Sequence, residues 1–189
     1  MRFFAAISLF LAALLCCAVA ATSPDANSMQ RKLDYLGKNG RSAHPNRKPT
    51  ILTEQEINAY LASDYVKLPA GVQSVKLAGE AGGVTGTAHV DFDQVREGIH
   101  SLNPLLAIFS GVHDVVVVTH AHGDSGRGQV HVDSVSLDGI EVPRFALQLF
   151  VEKFLTPKYP EIGLDSQFAL PDRIDSAGVG EHELTIIQK

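Results

Sequence analysis

From residue 84 to residue 93 small or apolar positions alternate with polar ones: Val84, Gly86, Ala88, Val90 and Phe92 point one way, Thr85, Thr87, His89 and Asp91 the other. A period of two predicts a strand with one dry and one wet face, as in an antiparallel sheet. An earlier run, 72–77, is set off from it by Gly79-Glu80-Ala81-Gly82-Gly83. The strongest hairpin signal follows: apolar-rich residues 112–122, a Gly-rich turn at 123–128, then 129–137. Two further strands are expected at 173–179 and 181–188.

Helical spacing marks two segments. Thr53 and Glu56 form a capping box with Leu52 and Ile57 at the positions of a hydrophobic staple, which predicts a helix from 53 to 62. In the second, residues 143–156, Phe145, Leu149, Phe150 and Phe154 are read as one apolar stripe that must be buried, ended by Pro157, Pro160 and Gly163. That stripe either fills a core or lines a cavity. Asn103 and Pro104 cap a short apolar turn, 105–109. Strands without regular helix crossovers give an α+β class built on an antiparallel sheet, not a doubly wound one.

The first twenty residues follow another pattern: Arg2, an apolar run to Val19, and Ala18-Val19-Ala20 as a small-x-small cleavage site. This reads as a secretory signal peptide. Cys16 and Cys17 both lie within it, so the mature chain is expected to carry no disulfide and no thiolate ligand. Next comes a basic stretch with Arg31, Lys32, Lys38, Arg41, Arg47 and Lys48 against Asp25 and Asp34, in which Met29, Leu33 and Leu36 permit a brief helix ended by Gly37. Residues 51–189 hold nine basic and nineteen acidic residues within a net charge of −5 for the whole 189-residue chain. An acidic domain lacks the Lys/Arg surplus that releases phosphate counterions, which excludes a nucleic-acid binder. The expected organisation is a signal peptide at 1–20, a basic linker at 21–50 and a single α+β domain at 51–189. Residues 31–48 are available for weak contact with an anionic envelope surface.

One constellation carries metal chemistry: a Val115–Val118 run leading into Thr119-His120-Ala121-His122-Gly123-Asp124. It resembles the zinc-binding motif of the metallo-β-lactamase hydrolase family, and residues two apart on a strand share a face, so His120 and His122 can both reach one ion. If the turn pairs His122 with Gln129, His131 lies opposite His120. The family motif continues Asp-His, whereas Asp124 is followed here by Ser125, so one ligand of a second metal is missing. Asp133, Asp138 and Glu141 read as solvated strand-end carboxylates, not an acid/base pair. The chain has no Gly-x-Ser-x-Gly elbow, Walker loop or dinucleotide fingerprint. No catalytic, cofactor or metal residue is therefore assigned, and a zinc-dependent hydrolase using His120 and His122 stands as the alternative.

The order of Leu52-Thr53-Glu54-Gln55-Glu56-Ile57-Asn58, Leu68-Pro69-Ala70-Gly71, the long strands, Leu137-Asp138-Gly139-Ile140-Glu141-Val142-Pro143, an amphipathic helix and Leu170-Pro171 resembles small secreted bacterial proteins of uncharacterised function. More distantly, it is similar to the tubular lipid-binding (TULIP-like) superfamily. The resemblance implies a curved antiparallel sheet packed on a long amphipathic helix, with an apolar interior that in some members holds acyl chains. The expected function is a non-enzymatic, periplasmic or secreted protein that binds lipid or another apolar ligand. Intact mass of exported protein should correspond to a chain beginning at Ala21; a mass that retains residues 1–20 would refute the signal-peptide reading.

Overall fold

The computed structural model describes residues 23–97, 104–160 and 163–189; the signal segment 1–20 with both cysteines, the Asn103 cap and the side chain of Leu105 lie outside them. The architecture is α+β, with one large antiparallel sheet and a few helices. Its strands are β1 (Thr50–Thr53), β2 (Val72–Glu80), β3 (Gly83–Asp91), β4 (Val112–Asp124), β5 (Arg127–Leu137), β6 (Ile140–Glu141), β7 (Asp165–Ala169), β8 (Ile174–Gly180) and β9 (Glu183–Gln188). The central path runs β1-β9-β8-β4-β3-β2, and β5 covers the other edge of β4 while carrying β6 and β7.

The hairpin expected at 112–137 is present and tighter than its glycines imply. Asp124 pairs with Arg127, so only Ser125 and Gly126 turn the chain, with φ of 52° and 77°. Two successive positive φ values give the turn whose twist matches that of paired strands. The Gly79–Gly83 break shrinks similarly, with Glu80 pairing directly with Gly83. The strand expected to run to Asp93 stops at Asp91, whose carboxylate accepts from the N–H groups of Asp93 and Gln94 and starts the short helix α3, Phe92–Val95. An Asp at an N-cap competes with strand continuation in this way.

Helices occupy both ends of the sheet. In α2, Glu54–Leu61, the Thr53 capping box is complete. The basic stretch 21–50 is not simply a linker. Residues Pro24–Gly40 form a 17-residue helix, α1, whose N-cap Ser23 accepts from the Ala26 N–H and whose first residue is proline. Its Met29, Leu33 and Leu36 recur every three to four residues and pack with Leu52, Ile174 and Ile186 into a core of their own. That apolar period outweighs the surrounding charge. At the C-terminal end of α1 the chain approaches Asp172 so closely that a Cβ on Gly40 would stand 2.2 Å from the Asp172 carbonyl oxygen. The buried Gln188 joins the same place, donating to the carbonyls of Leu36 and Asp172 and accepting from Asn39 Nδ2.

The second core lies under β3 to β5. Here α4, Arg144–Phe150, continues as one π-helical turn, Val151–Leu155, in which the Thr156 N–H donates to the Val151 carbonyl at 2.8 Å. The buried face is Ala146, Leu147, Phe150, Val151 and Phe154. Phe145 does not belong to it and is 59% exposed. Residues five apart on a helix differ by about 140° in direction, so Phe145 and Phe150 face opposite ways.

Glu56 ties α1 to α2. Its carboxylate accepts from the Thr53 N–H (2.9 Å), from Ser28 Oγ (2.7 Å) and from Lys32 Nζ (2.6 Å), the last two on α1. Burial pushes the carboxyl up, but the hydrogen bonds from Lys32, Thr53 and Ser28 overcome it and hold the pKa at about 2. A carboxylate depressed on folding stabilises the fold above its ordinary value of 4.5, and that contribution is lost as the pH falls towards about 2. Glu56→Gln should therefore cost about 2 kcal/mol at pH 7. Urea melts should show the wild-type advantage shrinking between pH 4.5 and about 2; an advantage independent of pH would contradict this.

Candidate functional site

The alternation of the central strands decides what faces α4. On β3, Ala88 and Val90 point inward; on β4, Val115 and Val117; on β5, Val132, Val135 and Leu137. The helical side supplies Leu147, Phe150, Val151 and Phe154. These two apolar surfaces do not close on each other. Between them lies a cavity of about 580 Å³.

Four aromatic rings wall one side. The Phe150 ring lies tilted at 4.3 Å from Phe109, meets Phe92 edge-on at 5.5 Å, and lies 5.2 Å from Phe154. Such contacts hold ring positions without polar partners. The dry faces of the strands and the phenylalanines 150 and 154 were legible as apolar, but the space they leave was not. Sequence reasoning also missed the rim, where the lining residues Pro69, Ala70, Lys158 and Tyr159 are exposed. The Gly71 carbonyl accepts from the Asp91 N–H at 2.7 Å and fixes the Pro69-Ala70 segment there. Lys158 Nζ donates to the Val95 carbonyl at 3.0 Å, strapping the post-helical segment to the end of α3. Of the described lining residues, Lys158 alone is charged.

The opposite, wet face holds the histidines. The register pairs His120 with His131 and His122 with Gln129, the geometry that an even turn requires. His120, His122 and His131 border a polar groove of about 490 Å³ with Gln129, Asp165 and Gln167. A bulge opposite Val118 and Thr119 leaves Asp133 out of the ladder. Its Oδ2 lies 2.7 Å from His120 Nδ1. His131 Nδ1 hydrogen-bonds Asp165, which also accepts from Arg144 at 2.9 Å. The His131 hydrogen bond, with Arg144 beside it, holds the Asp165 carboxyl below the usual range.

Carboxylates thus occupy one ring nitrogen of two of the three histidines. Among the described residues no three His, Cys, Asp or Glu side chains converge as a metal-binding group. Asp133 and Asp138 serve different histidines: Asp138 Oδ2 lies 2.6 Å from His113 Nδ1, and that bond raises the His113 pKa. Glu141 stays exposed on β6. The pattern resembles cross-strand charge pairing more than a reaction centre.

Replacing both His120 and His122 with Ala should shift unfolding by about 0.5 kcal/mol or less per site, because exposed pairs contribute little. Equilibrium melts with parallel zinc analysis check this; stoichiometric zinc that survives dialysis in the wild type and vanishes in the double variant would restore the hydrolase reading.

Comparison of the chain with protein-family models, curated proteins and solved structures finds no match, so its functional reading rests on the geometry of the cavity and its rim.

Proposed function

We propose that the protein is a non-enzymatic carrier of lipid or another apolar ligand, exported to the envelope or the medium. The observation that carries this is the cavity of about 580 Å³ between sheet and helix, within the range of small-molecule sites and lined almost wholly by aliphatic and aromatic side chains. An apolar void of this size forfeits dispersion contacts, and an apolar guest restores them. The cost falls on Phe150, Phe154 and the valines around them, which denser packing would relieve.

The sequence resemblance to the tubular lipid-binding superfamily points the same way, with the sheet curving around the α4 segment in that reading. The signal-like residues 1–20 support export. No helix among the described residues is long and apolar enough to cross a membrane. Five of the six basic residues in 31–48 (Arg31, Lys38, Arg41, Arg47 and Lys48) are exposed, while Lys32 is taken up by Glu56. In this reading they give a weak, salt-sensitive contact with an anionic envelope surface.

The test fills the void. Ala88 is partly buried on the cavity floor, and Ala88→Phe places a ring in the space. A neutral apolar dye such as N-phenyl-1-naphthylamine should bind the wild type saturably, and the variant should lose that binding while keeping its melting temperature. In a filled core the same substitution would overpack and cost about 1–3 kcal/mol. That loss, together with no saturable dye binding in the wild type, would refute the proposal.

A further inference from the structure

We propose that the cavity takes a single-chain amphiphile with an anionic head, whose chain lies against Phe150 and Phe154 and whose head meets Lys158 at the rim. This deepens the carrier reading and rests on it. Two observations carry it: the volume of the cavity and the distribution of charge around it.

Volume sets the number of chains. A methylene group fills about the 30 Å³ that a water molecule takes in the liquid. The cavity's 580 Å³ therefore accommodates one saturated chain of ordinary length. Two sixteen-carbon chains need about 960 Å³ on the same basis. A two-chain lipid would have to leave one chain outside or force the α4 segment off the sheet.

Charge sets the head. Through its depth the cavity offers valine, leucine, phenylalanine and alanine side chains, which cannot satisfy a polar group. At the rim stand Lys158 and the exposed Tyr159. Lys158 has no carboxylate within ion-pair distance among the described residues; its ammonium donates to the Val95 carbonyl, which leaves two of its three hydrogens for a ligand. A cation that is the one charge among the described residues of the mouth favours an anionic head over a neutral or cationic one. The recessed chain and the exposed head also match the exposures, since the aromatic wall is buried and the rim is wet.

A carboxylate and a lysolipid phosphate share this chemistry, and binding measurements separate them. The full mature protein is titrated, below micellar concentrations, with hexadecanoate, hexadecanol, hexadecyltrimethylammonium, a hexadecanoyl lysophosphatidate and its two-chain phosphatidate counterpart. Wild type should bind hexadecanoate about fivefold more tightly than hexadecanol, the size of a partly solvated ion pair. It should bind the lysophosphatidate more tightly than the two-chain lipid. Lys158→Gln should abolish the preference for the acid over the alcohol, and added salt should shrink the wild-type preference. The tighter of hexadecanoate and lysophosphatidate identifies the head within the proposed class. Equal affinity for acid and alcohol, a preference that survives Lys158→Gln, or tighter binding of the two-chain lipid would overturn the inference while leaving the carrier reading intact. Failure of every probe, hexadecanol included, would overturn the carrier reading and the inference with it.

Discussion

Because β4 is paired along both edges, with β3 over residues 112–120 and with β5 over 115–124, its register cannot move without breaking two ladders. That fixity places Val115 and Val117 towards α4 and His120 and His122 towards water. A slip of one residue would exchange the two rows and turn the imidazoles inward. Where β3 ends, β8 takes over the same edge of β4 at His122 and Gly123. The sheet there passes from the half that faces the cavity to the half that faces α1. Two cores follow from one strand: the phenylalanine-rich one beneath β3 to β5, and the smaller one of Met29, Leu36, Leu52, Ile174 and Ile186.

The features legible in the sequence are those in which the deciding residues sit close together. The Thr53 capping box, the 112–137 hairpin and the pairing of His120 with His131 each depend on a few residues and a turn. Gly86-x-x-His89-Val90-Asp91 and Gly128-x-x-His131-Val132-Asp133 are alike in sequence and in placement. The two segments flank β4, Val90 and Val132 both line the cavity, and His89 and His131 pair across the ladder with Asp114 and Asp165.

What stayed hidden depends on distant partners. The apolar stripe of α1 was visible, but the β1, β8 and β9 surface that it covers comes from both ends of the domain. β7 was missed because four of its five residues are exposed at the sheet's edge, so no buried row marks it. Phe145 was misplaced because i and i+5 do not share a face but lie about 140° apart, whereas Ala146 and Leu147 carry the buried one. The cavity could not be read from any segment, since a gap between two apolar surfaces is set by how far apart the rest of the fold holds them. The histidines show the converse: eight in the chain invite a metal, yet five of the described ones lie beside a carboxylate.

The join between α1 and the last strand governs the order of assembly. Thr50–Thr53 pairs with residues 183–186, and Asn39 meets Gln188 across nearly the whole described chain. Such contacts pay the largest loop-closure entropy and form late. The hairpin and its phenylalanine helix can collapse as a local unit, and α1 can meet α2 through Ser28, Lys32 and Glu56, but the Ile174 and Ile186 that complete its core come from β8 and β9. A chain emerging N-terminus first from a ribosome therefore carries α1 with its apolar face only partly covered until β8 and β9 appear. Loss of β9 would uncover β1 and the apolar face of α1 together, leaving the cavity half to stand without its companion.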